Sequence, residues 1–119
     1  MIRKSATVSA IGFLRRNPDL SPQEFKDYWL NVHAPMVKSK VPGLIYYSGR
    51  FPLPGESSPG TPRAPYDAII EFQFDSVESL QKALNGPAFM ANDRQKSSGS
   101  FLDLANTQAL MMEEYVVEL

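Results

Sequence analysis

Residues 20–37 read LSPQEFKDYWLNVHAPMV and predict a helix whose start and buried face can both be located. Ser21 is a good N-cap, Pro22 stands at the first helical position, where a missing N–H costs nothing, and Glu24 completes a capping box. Spacings of four, three and four residues define the apolar stripe, which comprises Phe25, Trp29, Val32 and Met36. Such a stripe is typical of a helix that packs on a sheet.

Pro35 falls inside this predicted helix. Because proline lacks a backbone donor, we expect a kink or a restart near residues 31–34. His33 lies at the break, about a fifth of a turn or more off the stripe, where it can reach the seam between helix and sheet. It is the only histidine, so it is the ready acid or base near neutral pH. A satisfied structural histidine is the competing interpretation.

The segments outside this helix predict four strands and a second helix. The expected strands are residues 6–14, 44–50, 66–74 and 108–118. Asp75 or Ser76 is expected to cap the second helix, and a further helical turn is expected over 89–94. Residues 95–100 are polar and are expected to be mobile. The order βαββαβ predicts an α+β, ferredoxin-like fold: a four-stranded antiparallel sheet with its helices on one face. The bare face needs a cover, so we expect a homodimer.

Composition excludes several classes of protein. The chain has 119 residues, which we interpret as one domain (1–119), and carries a net charge of −1, so nucleic acid and anionic membranes are not expected partners. It contains no cysteine and no cluster of metal ligands, so we expect no metal site. It lacks a signal peptide and a membrane-length apolar run, so we expect a cytoplasmic protein. A loop insertion over residues 52–65 contains half of the ten prolines; it predicts a lid, a binding loop or an inert insertion.

Other side chains are candidates for a binding site. Amphipathic rings could line a pocket for a flat aromatic ligand; they are Tyr28, Trp29, Tyr46, Tyr47 and Tyr66. Packing in the core is the simpler interpretation, above all for Trp29, and strand parity decides which of Tyr46 and Tyr47 faces the helices. Asp93 or Asp103 could orient the imidazole or act as a base, or could be a solvated or capping aspartate. Phosphate-loop, dinucleotide and serine-elbow motifs are absent, so any chemistry is predicted to need no cofactor.

The segment Leu20 to Trp29, followed by Val32-His33-Ala34-Pro35-Met36-Val37, resembles the EthD family of the dimeric α+β barrel superfamily. That family combines a capped Ser/Thr-Pro-Glu-Glu-Phe start with Tyr-Trp and His-Ala-Pro. The resemblance extends over nearly the whole chain. It implies two ferredoxin-like subunits whose sheets pack face to face, with a pocket between sheet and helices in each. It also implies that His33, Trp29 and Asp93 lie near that pocket.

Family members of similar size in polyketide pathways are described as decarboxylases or dehydratases of anthracenone-type acids. The resemblance therefore implies a cofactor-independent lyase (decarboxylase, dehydratase or cyclase) that acts on an aromatic polyketide-type intermediate. His33 is the expected general acid or base, while Asp93 and a tyrosine, Tyr46 or Tyr47, orient it or hold a substrate oxygen. One alternative is a cofactor-independent, quinone-forming monooxygenase, as among wider relatives. The other is a non-enzymatic dimeric module that binds an aromatic ligand.

Overall fold

The structure is a computed structural model that describes residues 1–55 and 58–119. Its strands are β1 (Ile2–Leu14), β2 (Tyr46–Arg50), β3 (Ala68–Phe74) and β4 (Gln108–Val117). Its helices are α1 (Pro22–Tyr28), a π-helical segment (Trp29–His33), α2 (Ala34–Lys38), α3 (Val77–Leu84), α4 (Asn92–Phe101) and a 3-10 turn (Leu104–Asn106). Within the predicted 52–65 loop, Glu56 and Ser57 lie outside the described residues.

The four strands form one antiparallel sheet in the order β2-β3-β1-β4, which confirms the predicted ferredoxin-like α+β fold. The register pairs Ala10 with Phe72 on one side and with Met111 on the other. Ala10 and its alternate neighbours in β1 therefore face the helices, while the residues between them face the opposite, open side. None of the described helices is long and apolar enough to cross a membrane.

β1 begins earlier than its predicted start at residue 6. Ile2 and Lys4 pair with Val117 and Tyr115 at the end of β4, and a bulge between Lys4 and Val8 shifts the register. The polar, charged start of the chain is a poor strand signal by itself. Pairing with an apolar partner strand supplies the stabilisation that local preference lacks.

The first helix starts as predicted. The Ser21 hydroxyl accepts a hydrogen bond from the Glu24 N–H at 3.0 Å, and the Glu24 carboxylate accepts one from the Ser21 N–H at 2.8 Å. The irregularity expected before Pro35 takes the form of a π-helical turn, in which the Ala34 N–H donates to the Trp29 carbonyl. A π turn is a known way to insert an extra residue without breaking a helix.

This π turn changes which residues form the buried stripe. The side chains that are buried along the helix are Phe25, Trp29, His33 and Val37. Val32, predicted to be buried, is 47% exposed, and His33 lies on the stripe rather than on its flank. On an α-helix, a four-residue step advances about 40° around the axis. The wider π turn rotates less per residue and removes part of that drift, so a spacing of four stays on one face.

The second helical region also differs from the prediction. Ser76 caps α3 as expected, with its hydroxyl accepting from the Ser79 N–H at 3.1 Å. Residues 95–100, predicted to be mobile, belong to α4, and Ser97 and Ser98 are buried there. The sequence of α4 has no apolar stripe, because the helix buries small hydroxyl side chains and Phe101 instead.

The core between sheet and helices consists of two neighbouring clusters. One centres on Val37 and Phe74, against α3, and the other on Phe25 and Phe101, against α4. Tyr47 and Phe72 contact both clusters and so mark the seam between them. A cavity lies at this seam.

Candidate functional site

A cavity of about 130 Å³ lies between the sheet and the helices. Its walls are mostly apolar and aromatic; they include Leu14, Trp29, Val37, Tyr47, Ile70, Phe72, Phe89 and Phe101. His33, Arg94 and Ser98 are its ionisable or hydroxylic lining residues besides Tyr47. An apolar cavity of roughly 150 Å³ holds benzene, so this one has room for about one six-membered ring.

His33 enters the cavity from the π turn and is only 8% exposed. Its ring packs against Phe101, with 4.6 Å between the ring centroids. Nδ1 lies 2.9 Å from the Ser97 hydroxyl oxygen, whereas Nε2 has no hydrogen-bond partner among the described residues. The imidazole is therefore fixed at one nitrogen and available at the other.

The hydroxyl of Ser97 connects His33 to Tyr28. It lies 3.0 Å from the Tyr28 phenol oxygen, which is also 3.0 Å from the Ser100 hydroxyl. Ser97 can either accept from Nδ1–H or donate to a bare Nδ1. In the first arrangement Nε2 carries a lone pair that can accept a proton, and in the second it carries an N–H. Tyr28, a predicted ligand-binding residue, therefore contacts Ser97 and is not part of the cavity lining.

Burial, and secondly the positive charge of Arg94, lower the pKa of His33 from 6.5 to about 4. The ring has left water, which penalises the charged imidazolium, and the nearby cation repels a second positive charge. At neutral pH His33 is therefore a neutral imidazole. Its chemistry there is that of a proton acceptor or a neutral hydrogen-bond donor.

Because side chains alternate along a strand, only Tyr47 of the two predicted tyrosines lines the cavity. Its ring stacks on Phe72 with centroids 4.7 Å apart, and burial raises the pKa of its phenol, which stays protonated. Tyr46 points to the opposite side of the sheet and is exposed. Trp29 lines the cavity and packs edge-on against Tyr47 at 5.6 Å, so it is both a core residue and a wall of the site.

The structure does not bring Asp93 to His33. The Asp93 side chain is 62% exposed, and its carboxylate binds the Lys40 ammonium at 2.8 Å. That ion pair lowers the pKa of Asp93. Asp103 accepts from the Asn106 side chain at 2.7 Å and likewise stands outside the cavity lining. Ser97 holds the imidazole in the place where an aspartate was predicted.

Sequence reasoning missed Ser97 and Arg94. Arg94 comes from α4, beside Phe89, and its guanidinium carbon lies 4.1 Å from the centroid of that ring. A signal did exist for Ser97: the run Ser-Ser-Gly-Ser over 97–100 consists of small residues that allow a helix to approach closely. Arg94 sits in a uniformly polar stretch and gives no such signal. Within 1–55 and 58–119, no group of three or more His, Cys, Asp or Glu could hold a metal ion.

The fold and this site together define a ferredoxin-like α+β protein with one buried histidine in an aromatic cavity between helix and sheet. The sequence profile of the EthD domain matches residues 17–105, which include the capped helix, the π turn and α4. The chain therefore belongs to the EthD family. No curated protein sequence matches it.

Solved structures share the fold at low sequence identity. A dimeric ferredoxin-like protein of unknown function from Thermobifida fusca is 15% identical, with a TM-score of 0.62 and coverage of 91% of both chains. Hydroxynitrile lyase from Passiflora edulis is 16% identical, with a TM-score of 0.62 and 95% of both chains covered. SnoaB, a cofactor-independent oxygenase from Streptomyces nogalater that was solved as a mutant, is 11% identical; its TM-score is 0.56, over 91% of this chain and 92% of that one. The fold is thus found in enzymes of different reaction types.

Proposed function

We propose that the chain is a cofactor-independent lyase in which His33 is the general base. One observation carries this proposal: His33 lines an aromatic cavity, and Ser97 holds its Nδ1, which leaves Nε2 without a hydrogen-bond partner among the described residues. A base whose proton affinity is low is present in its reactive, unprotonated form at neutral pH. General acid or base catalysis by a positioned side chain contributes about 10² to 10⁴ in rate and is most effective when the pKa lies near the operating pH, so we expect the lower end of that range for His33.

The neutral state of His33 favours lyase reactions that begin by removing a proton. Nε2 takes a proton from the carbon beside a substrate carbonyl, and the C–H electron pair forms an enolate. The enolate then expels the hydroxyl group from the β carbon. His33 returns the proton to this leaving group, which departs as water. Decarboxylation instead needs a proton donor for the carbanion that remains, which a residue with a pKa near 4 supplies poorly. Dehydration or cyclisation is therefore our first choice.

The size of the cavity limits the substrate. Sites for drug-sized ligands usually measure about 300–1,000 Å³, and this cavity measures about 130 Å³. A polyketide-type intermediate therefore places its reacting ring between Trp29, Tyr47 and Phe72 and leaves the remainder towards solvent. The protonated phenol of Tyr47 is suited to donate a hydrogen bond to a substrate oxygen.

A cofactor-independent oxygenase is the second candidate. Removal of a phenolic proton by His33 would make an electron-rich ring that can react with oxygen directly. The structural similarity to SnoaB, which is described as an oxygenase of this kind, supports this alternative. Dependence on oxygen separates the two reactions.

We also propose that the chain acts as a homodimer through the open face of its sheet. Leu110 and Met112 lie on this face beside Ile11 and Ser9, and both are exposed in the single chain. A structural relative is described as dimeric. Light scattering should give twice the chain mass for the wild type and for Lys82→Glu, a control on α3, and a reduced mass for Leu110→Glu. A monomeric wild type would contradict the proposal.

The function is tested by mass spectrometry of products. Wild type and His33→Ala are incubated with a panel of monocyclic and tricyclic β-hydroxy and β-keto carbonyl compounds, with and without oxygen. Loss of water by the wild type alone, independent of oxygen, supports the lyase. Gain of oxygen only under air supports the oxygenase. No turnover, together with intact ligand binding, would leave the protein as a non-enzymatic binding module.

A further inference from the structure

Arg94 places a positive charge at the wall of a mostly apolar cavity. None of the carboxylates in the described parts of the chain forms an ion pair with its guanidinium. The neighbouring carboxylate, Asp93, binds Lys40 and accepts from the backbone N–H of Arg94 at 2.9 Å instead. A half-buried cation without a counter-ion has lost part of its hydration, and an anion bound beside it would offset that cost.

The guanidinium is held in place by neutral groups. Nε donates to the Phe89 carbonyl at 2.5 Å, and the guanidinium carbon lies over the Phe89 ring. The two terminal nitrogens make only long contacts, 3.5 Å to the Ser98 hydroxyl and 3.9 Å to the Met90 sulfur. A guanidinium has five N–H donors, so two N–H groups on the terminal nitrogens have no partner among the described residues, and two more make only these long contacts. Arg94 is therefore oriented, and part of its fork can still donate to an acceptor.

The same cavity wall contains His33, whose protonation Arg94 opposes. An anion bound to Arg94 would provide the missing negative charge and reduce that repulsion. An apolar ring would meanwhile contact the aromatic walls. The two features suit a ligand with one ring and one oxyanion.

We propose that Arg94 is the anion-binding, specificity-determining residue of this cavity, and that it selects ring-bearing ligands that carry a carboxylate or an equivalent oxyanion. The fork of an arginine matches the two oxygens of a carboxylate, and charge-assisted bonds of this kind are the stronger ones. During the reaction proposed above, the same fork would also face the oxyanion that develops when His33 removes a proton. The inference thus deepens the proposed function and rests on it for that last role alone.

Binding of benzoate and benzamide tests the inference, because the two differ mainly in charge. The ring proton signals of His33, the only histidine, report occupancy by NMR in the whole protein. Wild type should bind benzoate about tenfold or more tightly than benzamide, a difference of about 1.4 kcal/mol, because charge-assisted hydrogen bonds are stronger than neutral ones. Arg94→Gln should abolish that preference, Arg94→Lys should keep part of it, and Lys96→Gln, on the surface of the same helix, should keep it in full.

Equal affinity of the wild type for both ligands, or binding of neither, would overturn the inference. So would a benzoate preference that survives in folded Arg94→Gln. These results are separate from turnover. A charge preference without any product contradicts the lyase and leaves the anion site standing, while turnover without a charge preference contradicts the anion site alone.

Discussion

The indole ring of Trp29 lies against the α carbon of Gly49 on β2. A Cβ at position 49 would stand 2.7 Å from Cη2 of Trp29 and 2.9 Å from two adjacent ring carbons. Glycine is therefore required here by close approach, since only a residue without a side chain lets the indole lie on the strand. This contact fixes one wall of the cavity.

Gly49→Ala should displace Trp29 and destabilise the protein by about 1–3 kcal/mol, the usual cost of overpacking a core. Gly12→Ala is the matched control, because a Cβ there would meet its nearest atoms, in Leu14 and Ile70, at 3.5 and 3.8 Å. Urea unfolding followed by tryptophan fluorescence measures both, and Trp29 is the only tryptophan. Equal stability of the two variants would show that the indole does not occupy the position described.

The stability of the protein should rise with pH between about 5 and 6.5. The pKa of His33 is about 4 in the folded chain against 6.5 unfolded, so the unfolded state binds more protons in this window. This contribution of His33 to the free energy of unfolding is fully present above pH 6.5 and is lost as the pH falls towards 4. It amounts to about 3 kcal/mol at most. Glu24 and Asp93, whose pKa values are also lowered, act below this window.

The control for that experiment is His33→Gln, which cannot titrate. Its free energy of unfolding, from urea melts at each pH, should be nearly constant between pH 5 and 6.5. If the free energy of unfolding of this variant rises with pH as steeply as that of the wild type, a group other than His33 causes the pH dependence.

Ser97→Ala should reduce catalysis by His33 more than it reduces the stability of the fold. Removing the hydroxyl leaves Nδ1 without its partner, which costs about 1–3 kcal/mol for a buried polar group. The imidazole also loses the contact that sets its orientation, so kcat should fall and the pH profile should shift while KM changes little. Ser100→Ala is the control, because Ser100 contacts Tyr28 and the Ser97 carbonyl but not His33. An unchanged kcat in Ser97→Ala would exclude a positioning role.

Asp93→Asn tests the sequence-based prediction that this carboxylate assists catalysis. Since Asp93 is exposed and paired with Lys40, we expect activity to stay within about twofold of wild type, as for an ordinary surface ion pair. Lys40→Gln should behave in the same way. A large loss of activity in Asp93→Asn alone would show that this aspartate does assist catalysis.

Much of the fold could be predicted because its signals are local. The capping box at Ser21, the alternation along β3 and the apolar β4 each depend on neighbours in sequence, and their order allows few topologies. The predicted break before Pro35 was also correct in position. Its form was not predicted, because a π turn depends on packing, and that form decides whether His33 or Val32 is buried.

The site was less accessible to sequence reasoning. His33 and Tyr47 could be named from residue type and strand parity. Ser97 and Arg94 belong to α4, a polar helix that exists because its small residues fit against the first helix, and a pairwise fit between distant segments leaves no periodicity to detect. The aspartate expected beside the histidine was inferred from residue type, without knowledge that Lys40 would bind it.

The proposed chemistry requires His33 to be a neutral proton acceptor inside the cavity. An NMR titration of its C2 proton, in the folded wild type without ligand, tests this most directly because no other histidine contributes a signal. We expect a pKa near 4 in the wild type and a higher value in Arg94→Gln, where the repelling charge is gone. A wild-type pKa at or above the ordinary 6.5 would show a solvated or charge-paired imidazole and would contradict the proposed chemistry.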